Sequence, residues 1–403
     1  MSDWDVIVIG GGAAGVAAAR RLADKGVQVL IVEASDRLGG RAHTVEVAGV
    51  PLDLGAGWLH SAEHNPWVKI ARDRGFTVDE TLPEWRTQWH DRGFPPKDRE
   101  AAGKAYEALN RRMRENPPAS DRAADALAPG CEWNGYLDAL SGFINGDGNA
   151  QVSIADYLAY DDAATGTDWR VREGYGTLVA AHAARLPVAL ATPVTAIDRT
   201  GKALRIETPR GALAASSAIV TVSTNVLAGG AIAFRPALDE TLHAAACLPL
   251  GLADKLFLAV DGDALDADAH LLGNPRASVT GTYTLRPMGH PVIEGMFGGE
   301  GAREMERIGL DGAARFAIDE LVALLGSAWR ARLRLVAGSA WGRADHVRGG
   351  YSHALPGRAG ARATLATPID ERIRFAGEAC SPDNFSTAHG AYLTGAAAAD
   401  ALR

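Results

Sequence analysis

The first thirty-two residues alternate between apolar runs and glycine in an order that predicts a strand, a turn, a helix and a second strand. Residues 5–9 form a short β-branched apolar run, which is typical of a strand buried on both faces. Glycine dominates residues 10–15, and residues 16–25 then carry apolar side chains at helical spacing as far as Gly26, a helix stop. Residues 27–32 form the second apolar run, so this part of the chain predicts a strand–helix–strand unit.

The glycines between the first strand and the helix predict a dinucleotide site. Gly10, Gly12 and Gly15 fit the pattern G-x-G-x-x-G. Glycine permits the tight turn and lets the backbone approach a pyrophosphate, which the N–H groups and positive dipole end of the helix attract. Glu33 follows Gly15 by 18 residues and can accept hydrogen bonds from an adenosine ribose. The alternative, a glycine-rich turn in an ordinary α/β unit, requires no acid at that spacing.

The next segment adds two arginines to the predicted nucleotide site. Arg37 and Arg41 flank a Gly-Gly turn just after Glu33, and guanidinium groups there would neutralise a pyrophosphate. Residues 37–44 fit R-x-G-G-R-x-x-T, and through this pattern the chain resembles the flavin-containing amine oxidases. Further blocks of that family are similar to residues 54–60, 171–179, 248–260, 339–343, 349–357, 373–381 and 387–395.

This resemblance implies an FAD site assembled from distant parts of the chain. It implies a glycine-rich turn at residues 55–58 against the flavin ring, adenine held by the backbone of Val194, and Glu378 on the ribityl chain. Trp341 stands where relatives carry a tryptophan beside the flavin, although a core tryptophan would show the same pattern. The predicted cofactor-binding residues are Gly10, Gly12, Ala14, Gly15, Glu33, Ala34, Arg41, Gly55, Ala56, Gly57, Trp58, Val194, Trp341, Glu378, Gly390 and Ala391.

One lysine is the predicted catalytic residue. Lys255 lies at the head of an apolar run, in a block where many amine oxidases carry a lysine that binds a water beside the flavin N5 atom. By this resemblance it would orient water and assist flavin reoxidation or imine hydrolysis, without taking the substrate proton. The alternative is an ordinary lysine at a strand end that reaches solvent.

Two tyrosines are predicted to bind the substrate. By resemblance, Tyr351 and Tyr392 form the two walls of an aromatic cage. Facing rings would attract an amine through its charge and direct its lone pair toward the flavin. The alternative is two buried core tyrosines.

His60 is the third predicted substrate-binding residue. Residues 58–61 are similar to the W-x-H-G arrangement of animal-type polyamine oxidases, with Ser61 in place of the final glycine. L-amino acid oxidases commonly carry a carboxylate-binding arginine in this region, and none occurs in residues 54–67, which weakens the case for an amino-acid substrate. The carboxylates available for the distal nitrogens of a polyamine, each of which can equally be a solvated surface group, are Glu63, Asp161 and Asp162.

Cysteine usage predicts a reduced, cytoplasmic protein that holds FAD without a covalent bond. Gly350 stands where monoamine oxidases carry the flavin-linked cysteine. Cys131, Cys247 and Cys380 are far apart in the sequence and form neither a disulfide framework nor a metal site, so no metal is expected.

Composition indicates which classes of partner the protein is expected to bind. A net charge of −8 fits a cationic ligand better than nucleic acid, although ordinary solubility explains it as well. No run of about 18 apolar residues occurs, so no membrane-spanning helix is expected. The sequence does not predict the oligomeric state.

The expected fold is α/β: a doubly wound, Rossmann-like FAD-binding domain interleaved with an α+β substrate-binding domain built on a mixed sheet. The FAD-binding domain is predicted to comprise residues 1–75, 172–246 and 360–403. The substrate-binding domain is predicted to comprise residues 76–171 and 247–359, and its first part is rich in charge and predicts an amphipathic helix over 98–115.

The resemblance implies oxidation of a C–N bond in a polyamine or other small amine. The product would be an imine and then a carbonyl compound, with dioxygen as the expected acceptor and hydrogen peroxide as its product. One alternative is a desaturase- or porphyrinogen-oxidase-like enzyme for a larger apolar substrate, which a wide apolar cavity with Tyr351 and Tyr392 apart would favour. A second alternative is a non-catalytic flavoprotein that binds a protein partner.

Overall fold

The computed structural model describes residues 3–262 and 264–402, and its strands and helices follow each other along the chain in a mixed order. The strands are β1 (Trp4–Ile9), β2 (Val29–Val32), β3 (Thr44–Val47), β4 (Val50–Asp53), β5 (Val78–Asp79), β6 (Arg170–Val171), β7 (Val188–Ala189), β8 (Ala196–Asp198), β9 (Leu204–Thr208), β10 (Gly211–Val220), β11 (Ala233–Arg235), β12 (Ala253–Val260), β13 (His270–Leu272), β14 (Thr282–Leu285), β15 (Val292–Gly298), β16 (Leu333–Gly338) and β17 (Ile373–Phe375). The helices are α1 (Ala13–Asp24), α2 (Pro66–Asp73), α3 (Pro96–Glu115), α4 (Asn134–Asn145), α5 (Ile154–Ala163), α6 (Tyr175–His182), α7 (Thr224–Ala228), α8 (Asp239–Ala246), α9 (Glu300–Leu325), α10 (Ala361–Leu365) and α11 (Ala388–Asp400).

The larger of two main sheets contains the first two predicted strands. Its order is β11-β8-β9-β10-β1-β2-β7, and β17 pairs with β10. β1 lies at its centre, parallel to both β10 and β2. Ile7 and Val8 on β1 are fully buried, as their unbroken apolar run predicts for a strand covered on both faces.

Two helices with small side chains pack closely on the larger sheet. Helices α1 and α11 lie in extensive contact. A Cβ atom at Gly395 on α11 would overlap the carbonyl oxygen of Ala14 on α1. The two backbones can approach this closely because no side chain stands between them at that point.

The smaller main sheet has the order β13-β14-β15-β12-β16, and all four of these pairings are antiparallel. The predicted mixture of strand directions therefore occurs in the larger sheet, where β9 pairs antiparallel with β8 and β10. Helix α9 packs against β15, β12 and β16, and α4 contacts β15. The predicted α/β fold class is confirmed.

The chain alternates between the two sheets. Strands β1, β2 and β7–β11 belong to the larger sheet, β12–β16 to the smaller one, and β17 returns to the larger. Interleaving is thus confirmed, while the residue boundaries of the two domains stay a prediction. Within the described ranges, no helix combines the length and apolar character needed to cross a membrane.

The contact between α1 and α11 yields a stability prediction. We expect Gly395→Ala to destabilise the protein by about 1–3 kcal/mol, because its methyl group would overlap backbone and force the helices apart. Gly103→Ala is the matched control, since a Cβ there would meet nothing within 4 Å, and it should be neutral or stabilising by up to about 1 kcal/mol. Urea unfolding followed by circular dichroism measures both variants, and equal midpoints would contradict the proposed packing constraint.

Candidate active site

A single cavity of about 1200 Å³ extends from the ends of β1 and β2 to helices α3, α4 and α5. Pockets for one small ligand commonly measure about 300–1000 Å³. This cavity therefore has room for a dinucleotide and a second small molecule side by side.

The N-terminus of α1 forms one end of the cavity. Gly12 caps this helix without a side-chain hydrogen bond, and Gly10 before it has a φ of 108°, a conformation that favours glycine. Gly10, Gly12, Gly39 and Gly40 all line the cavity. Their backbones form a cradle without side chains where helix N–H groups can meet a pyrophosphate, so this end fits a dinucleotide.

Glu33 is held firmly at the edge of this cradle. One carboxylate oxygen accepts a hydrogen bond from the Gly11 N–H at 2.6 Å and the other from the Ser35 N–H at 2.7 Å. The side chain is buried and lines the cavity beside Ala34 and Val194. The position of this carboxylate lets it accept hydrogen bonds from the ribose hydroxyls of a bound nucleotide.

A buried carboxylate and an arginine lie further along the cavity. Arg41 donates to Glu378 at 2.7 Å, and Glu378 also accepts from the Ser352 hydroxyl at 2.7 Å and the Ser386 N–H at 2.9 Å. Burial acts to raise the pKa of Glu378, but the charges of Arg41 and Arg362 and these hydrogen bonds outweigh it and lower the pKa below its ordinary value. Glu378 is therefore a charged acceptor at neutral pH.

Trp341 is part of the cavity wall as well as of the core. Its indole N–H donates to the carbonyl oxygen of Leu54 at 2.9 Å, and a Cβ at Gly55 would lie 2.9 Å from its ring. The ring thus packs against the turn at residues 55–58, whose members all line the cavity.

Asp254 fixes the backbone of Trp341. Its carboxylate accepts from the Trp341 N–H at 2.9 Å and from the Ser339 hydroxyl at 2.8 Å. Burial and the neighbouring Glu306 carboxyl raise the pKa of Asp254 to about 7, although the two hydrogen bonds oppose the shift. This carboxyl group consequently changes charge near neutral pH.

Lys255 on β12 lies inside the cavity wall. Its side chain is 10 % exposed, and Nζ lies 2.7 Å from Glu294 Oε1. A Cβ at Gly57 would lie 2.9 Å from this Nζ atom. Such burial does not match a strand-end lysine that reaches solvent.

The structure does not bring the two tyrosines of the predicted aromatic cage together. Tyr351 lines the cavity and donates its hydroxyl to the Phe143 carbonyl oxygen. Tyr392 does not line it: its ring lies 5.2 Å from the Trp67 ring and 6.0 Å from that of His182. One helical step of about 100° separates Tyr392 from Ala391, so the helix turns the tyrosine away from the cavity face. The two tyrosines therefore do not face each other across this cavity, and a substrate-binding role for either one stays a prediction.

The predicted cofactor-binding residues line the cavity with two exceptions. Gly15 packs against the Gly10 carbonyl oxygen, which a Cβ would overlap, and Gly390 packs in the same way against Asn384. The structure places both glycines in backbone contacts beside the cavity. The residues that do line it are Gly10, Gly12, Ala14, Glu33, Ala34, Arg41, Gly55, Ala56, Gly57, Trp58, Val194, Trp341, Glu378 and Ala391.

The three carboxylates considered as partners for the distal nitrogens of a polyamine differ in position. Asp161 lines the cavity and pairs with Arg114, which also binds Asp162 at 2.7 Å. Asp162 and Glu63 are exposed and lie outside the cavity lining.

His60 lines the cavity and has a carboxylate partner. Its Nδ1 atom lies 2.7 Å from Asp168 Oδ1, and Asp168 lines the cavity too. The Trp85 ring stands 6.4 Å from the imidazole and 4.8 Å from the Trp58 ring. His60 thus belongs to a polar and aromatic wall near the turn at residues 55–58.

Sequence reasoning missed most of the wall opposite the nucleotide cradle. This wall contains aromatic, hydroxyl and imidazole groups from helices α3, α4 and α5 and from the strands of the smaller sheet. These groups do not belong to any shared sequence motif. These residues are Tyr106, Tyr136, Phe143, Tyr157, Tyr160, His270, Thr282 and Thr284. The one available signal was the apolar face of the predicted helix over 98–115, which contains Tyr106. Among the residues that the structure describes, no cluster of three or more His, Cys, Asp or Glu side chains could hold a metal ion.

Comparisons with known proteins show what the chain is similar to. A family model described as flavin containing amine oxidoreductase matches residues 13–135 and 101–403. Polyamine oxidase 4 of Oryza sativa subsp. japonica is 29% identical, covering 100% of this chain and 89% of its own. Polyamine oxidase 3 of the same organism is 30% identical over 98% of this chain and 88% of its own. A solved structure of putrescine oxidase bound to putrescine has a TM-score of 0.79 at 19% identity, covering 98% of both chains, and shares the fold.

The raised pKa of Asp254 yields a pH prediction. Between its ordinary value of 3.8 and about 7, the folded protein keeps a proton that the unfolded chain has lost, so stability falls as pH rises through this range. The slope is about 1.4 kcal/mol per pH unit for one proton. We expect Asp254→Asn to remove this decline, because the amide does not titrate.

Thermal melting of the wild type and the variant at pH 5 to 8 measures the effect. Asp198→Asn, at a partly exposed carboxylate of the larger sheet, is the control and should keep the decline. Parallel melting curves for the wild type and Asp254→Asn would contradict the assignment.

Proposed function

The chain belongs to the flavin-containing amine oxidoreductase family, and from this premise we propose that it oxidises polyamines or other small amines with non-covalently bound FAD. One observation carries the proposal: a single cavity joins the glycine cradle at α1 to buried Lys255 and to His60. The relatives named polyamine oxidase span nearly the whole chain and support the same substrate class.

The residues present fit FAD. The N-terminus of α1, which has no side-chain cap, and Arg41 would meet the pyrophosphate. Glu33 would meet the ribose, and Glu378 a polar chain of the cofactor. Among the described residues no cysteine lines the cavity, and Gly350 does, which supports non-covalent binding. When bound, FAD supplies the acceptor for the two electrons that leave the amine.

The chain's own groups would bind the amine and direct water. Lys255 is an ammonium group with three N–H donors, one of which points to Glu294, so it can orient a water molecule at the reacting end. Loss of two electrons and two protons converts the amine to an imine. Water then adds to the imine carbon, the C–N bond breaks, and a carbonyl compound and an amine leave. Dioxygen takes up two electrons and two protons and becomes hydrogen peroxide.

The charged groups of the cavity disfavour the alternative of a large apolar substrate. Tyr351 and Tyr392 do lie apart, as that alternative expects. However, Lys255 and Glu294 form an ion pair in the wall, and such groups are unfavourable next to an apolar ligand. A cytoplasmic location, dioxygen as acceptor and the absence of a nucleic-acid partner stay predictions.

The proposed activity predicts loss of the oxidised flavin spectrum when an amine is added without oxygen. Spermine, spermidine, putrescine, an N-acetylated polyamine and benzylamine form a suitable panel, and hydrogen peroxide release under air identifies the acceptor. We expect Lys255→Met to lower turnover at least roughly 10-fold. Lys69→Met, at a lysine side chain that is 80% exposed, is the control and should keep full turnover. If no amine reduces the flavin, the proposed function is wrong.

Non-covalent binding predicts that unfolding releases the cofactor. Acid precipitation of the yellow protein should leave all of the flavin in the supernatant, with the mass of FAD. Mass spectrometry of the intact chain should show the mass of 403 residues alone. Flavin that stays with the precipitate would contradict the proposal.

A further inference from the structure

A second and much smaller cavity lies behind the part of the wall that contains Lys255. Its volume is about 20 Å³. Gly57, Trp58, Lys255 and Glu294 line both cavities, so these four residues form the partition between them. The other walls of this satellite cavity come mainly from β4, β6, β12 and β15 and from residues 287–290.

Arg170 on β6 brings two unpaired donors to the satellite cavity. Its side chain is 5% exposed, and Nη2 donates to Asp268. Nε and Nη1 are buried and have no hydrogen-bond partner among the residues that the structure describes. The Trp58 ring, whose centroid lies 4.7 Å from Cζ, attracts the charge but offers no oxygen. A buried N–H group without an acceptor is unfavourable, so these two groups need a ligand that accepts.

The outer wall of the satellite cavity is a strained turn that Asp268 holds in place. Oδ1 of Asp268 accepts from the Met288 N–H at 2.8 Å as well as from Arg170. Met288 has a φ of 55° and Arg286 a φ of 44°, which is a conformation that side chains rarely adopt. Such a conformation persists only when the surrounding contacts impose it. Asp268 therefore fixes Arg170 and this turn relative to each other, and with them the size of the cavity.

The charges around the satellite cavity favour a neutral ligand. Arg170 pairs with Asp268, and Lys255 pairs with Glu294. Burial lowers the pKa of His290 in the lining, so its imidazole is neutral at pH 7. An anion would lie against the Glu294 carboxylate, and a cation would lie against the Arg170 guanidinium. A molecule without charge that both accepts and donates hydrogen bonds avoids both conflicts.

The size of the satellite cavity and its polar groups identify this molecule as water. A site for one water needs at least about 10–15 Å³ and two to four polar partners, so the volume admits one water and no alkylamine. Arg170 supplies the donors. Asp53, another carboxyl group in the lining, already accepts from the Tyr175 N–H at 3.0 Å and the Thr44 hydroxyl at 2.5 Å. Glu294 is then the acceptor for the hydrogen atoms of the water.

We propose that the satellite cavity binds one water molecule, which accepts from Arg170 and donates to Glu294, and that Arg170 thereby positions Lys255. Glu294 Oε1 lies 2.7 Å from Lys255 Nζ, so a water that fixes Glu294 also fixes the ammonium group. This water is separate from one that Lys255 would orient at the reacting end, because Gly57 and Trp58 stand between the two cavities. The water site is independent of the proposed function, whereas its effect on turnover rests on that function.

Val292 offers a way to fill the satellite cavity without touching its polar groups. It is 4% exposed, lines the satellite cavity and lies on the same face of β15 as Glu294. Val292→Ile adds one methylene group and should displace the water. Val292→Ala alters the same side chain and leaves room for the water. Val336→Ile is a second control, because Val336 packs on the same apolar cluster as Val292 and is in the lining of neither cavity.

Two measurements on the holoenzyme test the water site without any amine. Magnetic relaxation dispersion of ¹⁷O counts buried waters with long residence times, and we expect one fewer in Val292→Ile than in the wild type and both controls. Crystals soaked in bromide should show a water within hydrogen-bond distance of Arg170 and Glu294 and no anomalous signal there. Bromide in the satellite cavity, or the same water count in all four proteins, would overturn the proposal.

The positioning of Lys255 has a structural and a kinetic readout. In crystals of Val292→Ile, and not of the two controls, Nζ of Lys255 should move away from Glu294. With a reactive amine, kcat of Val292→Ile should fall at least roughly threefold with an unchanged KM, while both controls react like the wild type. Equal losses of kcat in Val292→Ile and Val292→Ala would show a packing effect and refute the positioning role. If water and Lys255 behave as expected but no amine reacts, only the proposed function fails.

Discussion

The buried ion pair between Arg362 and Asp156 ties the substrate side of the cavity to its cofactor side. Arg362 on α10 donates to both carboxylate oxygens of Asp156 on α5, at 2.6 and 2.8 Å, and both side chains are 3% exposed. The same guanidinium donates to the Ser352 hydroxyl at 2.9 Å, which in turn donates to Glu378. Breaking such a pair on one side leaves a buried charge uncompensated, at a cost of about 3–5 kcal/mol. Helix α5 and its cavity-lining rings are therefore held in a fixed position relative to the residues that face the nucleotide.

Three ion pairs lie in the cavity wall, and their charges are paired before any ligand arrives. These pairs are Arg41 with Glu378, Lys255 with Glu294 and His60 with Asp168. At these three pairs an incoming amine meets charges that are already neutralised, so its attraction there depends on aromatic rings and individual oriented groups. Each pair also fixes the position of one group with a proposed chemical task, so little reorganisation is needed when substrate binds.

The nucleotide end of this site can be predicted well from the sequence, and the opposite end can be predicted only poorly. Gly10, Gly12 and Glu33 lie within one strand–helix–strand unit, so their spacing alone implies their proximity in space. Lys255 is identified in the sequence because residues 248–260 resemble a family block that carries a lysine. The rings of α3, α4 and α5 come together only through tertiary packing, and no spacing within one segment reveals that they share a wall.

Tyr392 shows why the direction of a side chain is harder to predict than its helix. A shift of one residue along α11 separates Ala391, in the cavity wall, from Tyr392, packed on Trp67. Where a second ring was expected, the start of α11 contributes Thr387 and Ala388 to the wall instead. A wall with one tyrosine restricts the amine less than two facing rings would. For the proposed activity, the nitrogen would then be oriented by hydrogen bonds, and His60, held by Asp168, lies in the same cavity wall.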